Sequence, residues 1–292
     1  MQNFEKVDNI RKNISSVIVG KDEVIKLILT SVLAGGHILL EDVPGTGKTV
    51  IAKSLAGSIA GEFSRVQFTP DLLPSDVTGI NFYNQKAGEF TLRKGPVFGN
   101  IVLADEINRA TPRTQSSLLE CMEEHQVTID GVTYRLDEPF VVIATQNPIE
   151  TAGTFPLPEA QLDRFLMKLS MGLPDKDEEV KIMERFMGDV PGAGSAKRVD
   201  AVCTAKDIVD MQQEAAKVYV HKAILEYIAS IVQATRKNPE IKMGISPRGT
   251  LALLRAVKAF AYISGREYVV PEDVKAVAVP VLAHRLVLIF GR

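Results

Sequence analysis

His37-Ile-Leu-Leu-Glu-Asp-Val-Pro-Gly-Thr-Gly-Lys-Thr-Val50 reads as a buried strand that runs into a glycine-bearing loop and then into a helix. The order of residues carries a physical prescription for holding phosphate. Gly45 and Gly47 allow a turn whose backbone N–H groups face inward, Lys48 supplies a point charge for β- and γ-phosphates, and Thr49 offers a hydroxyl to Mg²⁺. A helix beginning at Lys48 or Thr49 directs its positive end at the same place. The candidate nucleotide-binding loop is therefore Asp42, Val43, Pro44, Gly45, Thr46, Gly47, Lys48, Thr49 and Val50. The general pattern wants glycine at the position of Asp42. Asp accepts turn conformations, but a carboxylate beside phosphates is electrostatically awkward, so its side chain is expected to turn away.

Outward from this loop, residues 1 to about 173 alternate short β-branched runs with helical patterns, the signature of a parallel sheet in an α/β layer. Expected strands are His37 to Leu40, Arg65 to Phe68, Ile101 to Ala104, Val141 to Ala144 and Leu166 to Leu169. The unbroken apolar runs Ile101-Val-Leu-Ala104 and Phe140-Val-Val-Ile-Ala144 suit strands covered on both faces. Two hairpins interrupt the alternation. One spans about residues 80 to 92; the other, Val127 to Leu136, turns at Asp130-Gly131. Both either meet a partner or simply extend the fold.

A loop rich in glycine and proline, Met187 to Ala196, follows the last strand. Beyond it the periodicity is helical, with starts at Thr204, at Ser246-Pro247 and at Pro271, and with Ile224, Leu225, Ile228, Ile231 and Val232 on one helical face. Residues 174 to 292 are read as an all-helical subdomain.

Composition is that of an ordinary globular protein, 46% hydrophobic and 24% charged among 292 residues. A net charge of −2 offers no global attraction to nucleic acid or anionic lipid. Cys121 and Cys203 lie far apart and are read as reduced thiols, which fits a cytoplasmic location. The first residues lack the basic-then-apolar pattern of a signal peptide, the longest apolar run is too short to span a bilayer, so no membrane insertion is expected, and four scattered histidines suggest no transition-metal site.

A phosphate loop becomes hydrolytic through what stands at the other strand ends. Asp105-Glu106 follows the apolar run from Ile101, so both carboxylates are expected beside the phosphates. Asp105 suits the Mg²⁺ shell, and Glu106 suits polarising a water for in-line attack on the γ-phosphate. Asn147, with Thr145 as a second choice, lies just past the next strand, where an amide could reach that phosphate. In Ser246-Pro-Arg248 a cation occupies the first turn of a helix, where the dipole opposes it unless an anion is near. Arg113 repeats the arrangement more weakly, and from spacing alone Arg164 is either a charge-stabilising finger or a surface ion-pair partner.

Taken together, Asp42 to Thr49, Leu103-Ala-Asp-Glu-Ile-Asn-Arg109, Ala144-Thr-Gln-Asn-Pro148, Leu157 to Phe165 and Ser246-Pro-Arg248 resemble the MoxR-type AAA+ ATPases. The resemblance implies a P-loop AAA+ core with a parallel five-stranded sheet, inserted β-hairpins and a C-terminal helical lid. It implies ATP and Mg²⁺ as ligands, a ring of copies of this chain, commonly a hexamer, and ATP bound between neighbours. It also implies roles: Lys48 and Thr49 as Walker A, Asp105 and Glu106 as Walker B, Asn147 as sensor 1, Arg248 as sensor 2 in cis, and Arg164 as the finger supplied in trans. Val19 and Gly20 match the segment lining the adenine pocket, and Asp42 is acceptable within the family. Members are chaperone-like remodellers of protein clients, often beside proteins with von Willebrand factor A domains. A DNA-remodelling motor is the alternative, weakened by the thin positive charge of the hairpins, Lys86, Arg93, Lys94 and Arg135. A scaffold that binds ATP without hydrolysing it is a third, disfavoured by Glu106, Asn147, Arg164 and Arg248 together.

Overall fold

A computed structural model describes residues 3–43, 45–86, 88–149, 153–187 and 199–289, and of Phe186 the backbone alone. Pro44 and the glycine- and proline-rich stretch after Met187 lie outside the described residues.

The chain opens with helices α1 (Phe4–Ser15) and α2 (Asp22–Leu33), then strand β1 (His37–Glu41), helix α3 (Lys48–Ser58) and β2 (Phe63–Gln67). A short helix α4 (Pro74–Thr78) leads to β3 (Gly79–Asn84) and β4 (Glu89–Lys94), then to β5 (Ile101–Asp105) and α5 (Pro112–Glu124). There follow β6 (Gln126–Ile129), β7 (Val132–Arg135), β8 (Val141–Gln146), α6 (Glu159–Leu162) and β9 (Phe165–Leu169). The remainder comprises α7 (Lys176–Phe186), α8 (Ala205–Ala216), α9 (Lys222–Lys237), β10 (Ile241–Met243), α10 (Pro247–Ile263), α11 (Pro271–Leu282) and β11 (Val287–Leu288).

Five strands form one parallel sheet in the order β2-β5-β8-β1-β9. The side chains of β1, β5 and β8 alternate between two cores. Ile38, Leu40, Ile101, Leu103, Val141 and Ile143 face one, whereas Leu39, Val102, Ala104, Val142 and Ala144 face the other. This is the period of two with both faces buried, and it explains why the runs carry no polar alternation. The two hairpins stand outside the sheet as separate antiparallel pairs, β3–β4 and β6–β7. Asp130 and Gly131 both have positive φ, 49° and 81°, as a two-residue turn with the hand of the strands requires.

Among the described residues after β9 the regular elements are helices and the short antiparallel pair β10–β11, which sequence periodicity does not reveal. Three residues and two are too few to show a period. Thr204 and Ser246 cap α8 and α10, accepting from the N–H groups of Asp207 and Gly249. These helices do not form a detached unit. Leu253, Val257 and Val274 share one core with Ile28 and Leu29 of α2 and with Ile10 of α1, all of them buried. The apolar stripe of α10 is thus satisfied by α2, on the face of the sheet opposite α5.

Both free cysteines are buried, and burial pushes their thiols up, Cys121 to about 12 and Cys203 to about 11. His37 begins β1 in full burial; its Nδ1 accepts from the N–H of Val142, so Nε2–H donates to the carbonyl of Met122. Burial lowers its pKa from 6.5 to about 4. Burial, with Arg285 beside it, lowers that of His284 to about 3. Because the unfolded chain takes up these protons first, stability is full above about pH 6.5 and is lost as pH falls toward the native values. Urea unfolding between pH 7 and 5.5, above the range of ordinary carboxylates, should lose up to about 1.4 kcal/mol per pH unit for each of these histidines. A flat profile would contradict two histidines held neutral in the core.

Candidate active site

β1 ends at Glu41, and the loop that follows carries Gly45 at φ 87° and Gly47 at φ 89°, a hand that side chains with a Cβ rarely adopt. A Cβ built on Gly45 would meet nothing within 4 Å, so its positive φ and not crowding is what calls for glycine there. Gly47 is the N-cap of α3, and Lys48, Thr49 and Val50 form its first turn. The ammonium of Lys48 donates to the carbonyls of Asp42 (2.9 Å) and Val43 (3.3 Å), and the Thr46 hydroxyl donates to Val43 at 3.4 Å.

Asp42 is buried and its side chain points away from the loop. It accepts from the Ser170 hydroxyl (2.8 Å) and from the N–H groups of Met171 (2.6 Å) and Gly172 (3.1 Å), just past β9. Its carboxylate therefore fastens the end of β1 to the end of β9, and only its carbonyl faces Lys48. The awkward charge of the motif is a structural tie.

β5 delivers Asp105 and Glu106 to the same edge. Asp105 is buried, accepting from Arg65 Nε (2.7 Å) and from the Thr145 hydroxyl (3.2 Å). Glu106 adopts φ 55°, ψ 48°, a left-handed conformation costly for a residue with a Cβ. The Thr145 hydroxyl accepts its N–H at 2.9 Å, Gln67 Nε2 donates to its carboxylate at 2.7 Å, and Arg109 Nε lies 3.2 Å away. Thr145 thereby sets both acidic residues. Asn147, half-buried just past β8, accepts from the Ile149 N–H at 3.1 Å.

Arg65 and Gln67 were not singled out from sequence. They stand two apart on β2, hence on one face, and β2 pairs with β5 so that Gln67 lies opposite Asp105. The alternation Arg65-Val-Gln67 on an edge strand is the only signal for them, and it has meaning only once β5 is known as the neighbour.

Ile18 to Gly20 lies beside the loop. A Cβ on Gly47 would rest 3.6 Å from Ile18 and 3.7 Å from Met171. Gly20, at φ 71°, packs so closely on the first turn of α7 that a Cβ would overlap Glu178. Val19 and Gly20 thus sit between the loop and α7. Arg113 is exposed on the first turn of α5.

Arg164 and Arg248 do not join this edge. Arg164 precedes β9, whose first residue, Phe165, pairs with His37, the first residue of β1, while the loop follows its last. Five residues of strand separate the two edges by about 16 Å. Arg164 Nη1 donates to the Leu119 carbonyl and pairs with Glu123, both at 2.7 Å. Arg248 Nη1 reaches the other oxygen of Glu123 at 3.1 Å, and its Nε lies 3.9 Å from Asp163. Arg248, expected beside the chain's own loop, lies in this structure among Glu123, Asp163 and Arg164. Because α10 packs on α2, its first turn falls at the Arg164 edge and not over the chain's own loop.

A glycine loop at a helix start, an acidic pair at the end of a strand one removed on the same edge, and an arginine pair on the opposite edge define a P-loop ATPase of the AAA type. Residues 37–167 match the ATPase family associated with various cellular activities, and residues 233–291 match an AAA lid domain. The chain is 50% identical over 277 residues to the uncharacterized protein YeaC of Bacillus subtilis, covering 95% of this chain and 85% of that protein. It is 43% identical over 286 residues to the chaperone MoxR1 of Mycobacterium tuberculosis, covering 95% and 74%. A crystal structure of a Cytophaga hutchinsonii protein described as a candidate ATPase superposes with a TM-score of 0.91 at 42% identity, covering 99% of this chain and 89% of that one. The chain belongs to the MoxR-type AAA+ ATPases. Among the described residues no helix is long and apolar enough to cross a membrane, and no cluster of His, Cys, Asp and Glu is arranged to hold a metal ion by itself.

Replacing Asp42 by Ala orphans the buried N–H of Met171 and removes the side-chain tie beyond the paired ends of β1 and β9. Asp42→Ala should lose about 1–3 kcal/mol of stability and weaken binding of a fluorescent ATP analogue, with Asp42→Asn in between. Wild-type melting and affinity in the alanine variant would show that the tie is dispensable.

Proposed function

We propose that the protein hydrolyses ATP at a site shared between neighbouring copies in a ring, a hexamer by resemblance, and uses the cycle to remodel protein complexes. The observation that carries the hydrolytic part is Glu106: a residue held in a costly backbone conformation, its N–H on Thr145 and its carboxylate on Gln67, at the edge that bears the phosphate loop.

In this reading the loop N–H groups and the start of α3 cradle the phosphates, and Lys48 exchanges the carbonyls of Asp42 and Val43 for phosphate oxygens. Val19 and Gly20, beside the loop, border the base. The residues present fit a divalent cation, since Asp105 is a buried carboxylate fixed by Arg65 and Thr145 at the sheet edge that bears the loop. Thr49 and Asp105 would hold Mg²⁺, which supplies charge neutralisation at the β- and γ-phosphate oxygens. Glu106 accepts a proton from water as it attacks the γ-phosphorus, the bond to the β-phosphate oxygen breaks, and Asn147 orients the γ-phosphate or the water. Arg164 and Arg248 of the adjoining copy meet the charge that develops, because neither reaches its own loop.

The clients are proposed to be proteins, with those carrying von Willebrand factor A domains as the first class to try. The β3–β4 hairpin favours protein over nucleic acid: Ile80, Phe82, Tyr83 and Phe90 are exposed, Phe90 at 73%, with Tyr83 and Phe90 edge to face at 5.4 Å. Of its cations, Lys94 already lies over the Phe98 ring.

Glu106→Gln should bind ATP yet lose about 10²–10⁴ in kcat, and in the presence of ATP it should retain a protein client in a pull-down. Turnover at the wild-type rate would remove Glu106 from the chemistry, and ATPase stimulation by DNA with a steep salt dependence would favour a nucleic-acid motor.

A further inference from the structure

Two arginines from different parts of the chain end on one carboxylate. Arg164 comes from the segment before β9, Arg248 from the first turn of α10, and Glu123 stands near the C-terminal end of α5 with one oxygen on each. We propose that Glu123 is a positioning residue, which holds Arg164 and Arg248 at a fixed separation so that the pair meets the phosphates of a neighbouring copy as a unit. This rests on the shared-site reading above and adds to it the group that sets the pair.

Three observations carry the assignment. Arg164 is tied to α5 at two points through the single atom Nη1, by the Leu119 carbonyl and by Glu123, and a guanidinium carries donors on Nε and Nη2 besides. The segment bearing Arg164 is itself clamped from the lid side: Arg285, only 4% exposed, pairs with Asp163 and donates to the carbonyls of Asp163, Phe165 and Leu166. Asp163 also lies within reach of Arg248, so that charges alternate along Arg285, Asp163, Arg248, Glu123 and Arg164. Finally, Glu123 and Arg164 line the same cleft, of about 220 Å³, together with Ser116, Glu120, Glu124 and Gln161.

The chemistry calls for a carboxylate here. Two guanidinium groups this close repel unless an anion lies between them, and a carboxylate has one oxygen for each. Glutamine has a single acceptor oxygen and would present its NH₂ group to the second arginine. The side chains of Arg164, Glu123 and Arg248 are 29%, 35% and 47% exposed, so the contacts add little to folding stability and their loss should not unfold the protein. Misplacing a charge at a reacting phosphate, in contrast, is costly in rate.

The test is steady-state ATPase kinetics on the full chain. Glu123→Gln should lower kcat by about 10- to 100-fold while leaving KM for ATP and the unfolding midpoint at wild-type values. Glu123→Asp, which keeps both oxygens on a shorter stem, should retain more activity, and Glu123→Gln added to Arg164→Ala should cost clearly less than it does alone, since only Arg248 is left for Glu123 to hold. A wild-type kcat in Glu123→Gln, or a loss fully additive with Arg164→Ala, overturns the proposal. Mixing separates it from the shared-site reading, because a Glu106→Gln copy keeps its arginines and can lend them. Mixed with such copies, both Arg164→Ala and Glu123→Gln should regain activity. Recovery by Arg164→Ala alone overturns the role of Glu123 and leaves the shared site standing; recovery by neither removes the shared site, and Glu123 with it.

Discussion

Everything at the site depends on the parallel pairing of β1 with β8 on one side and β9 on the other. In a parallel sheet all strand ends of one kind share an edge. Whatever follows β1, β5 and β8 therefore converges: the loop to Val50, the Asp105-Glu106 pair, and Thr145 with Asn147. Whatever precedes β9 is carried to the far edge by the same rule, and Arg164 goes with it. No side-chain rotation closes a gap of about a strand's length, so a site that uses both edges takes them from two copies.

The carboxylates at this sheet differ in their work according to what surrounds them. Asp42 is consumed by three donors beyond β9 and serves the shape of the loop. Asp105 is buried and fixed from both sides, which suits holding a cation's shell in place. Glu106, on an unfavourable turn of backbone, has its carboxylate held by an amide and near a guanidinium, contacts that can be exchanged as ligands arrive. Glu123 lies between two guanidiniums at the other edge. Residue type alone does not distinguish these four; their neighbours do.

Apolar packing decides where the lid's charges go. Leu253 and Val257 of α10 are buried in the core that α2 helps to build, and that contact fixes the direction in which α10 begins. Arg248, in its first turn, is carried to Glu123 as a consequence. The dipole argument marks Arg248 as a cation that an anion would stabilise. It could not say whose anion, since a helix dipole is a local property and the docking of a helix is not.

The amino-acid sequence by itself determined the five strands of the sheet, the phosphate loop, the two hairpins and the helical starts at Thr204, Ser246 and Pro271. These rest on short-range physics: glycine's access to positive φ, the periods of strand and helix, and side chains that cap the N–H groups of their own helix. It also marked Asp105, Glu106 and Asn147, because the end of an apolar strand is visible in the chain. Only the tertiary structure decided that β2 borders β5, bringing Arg65 and Gln67 onto the acidic pair, and that β9 borders β1, giving Asp42 its three donors. It alone put Arg248 beside Arg164. Each of these is a choice of neighbour across dozens of residues, settled by how buried faces fit together, and no local pattern encodes which face will meet which.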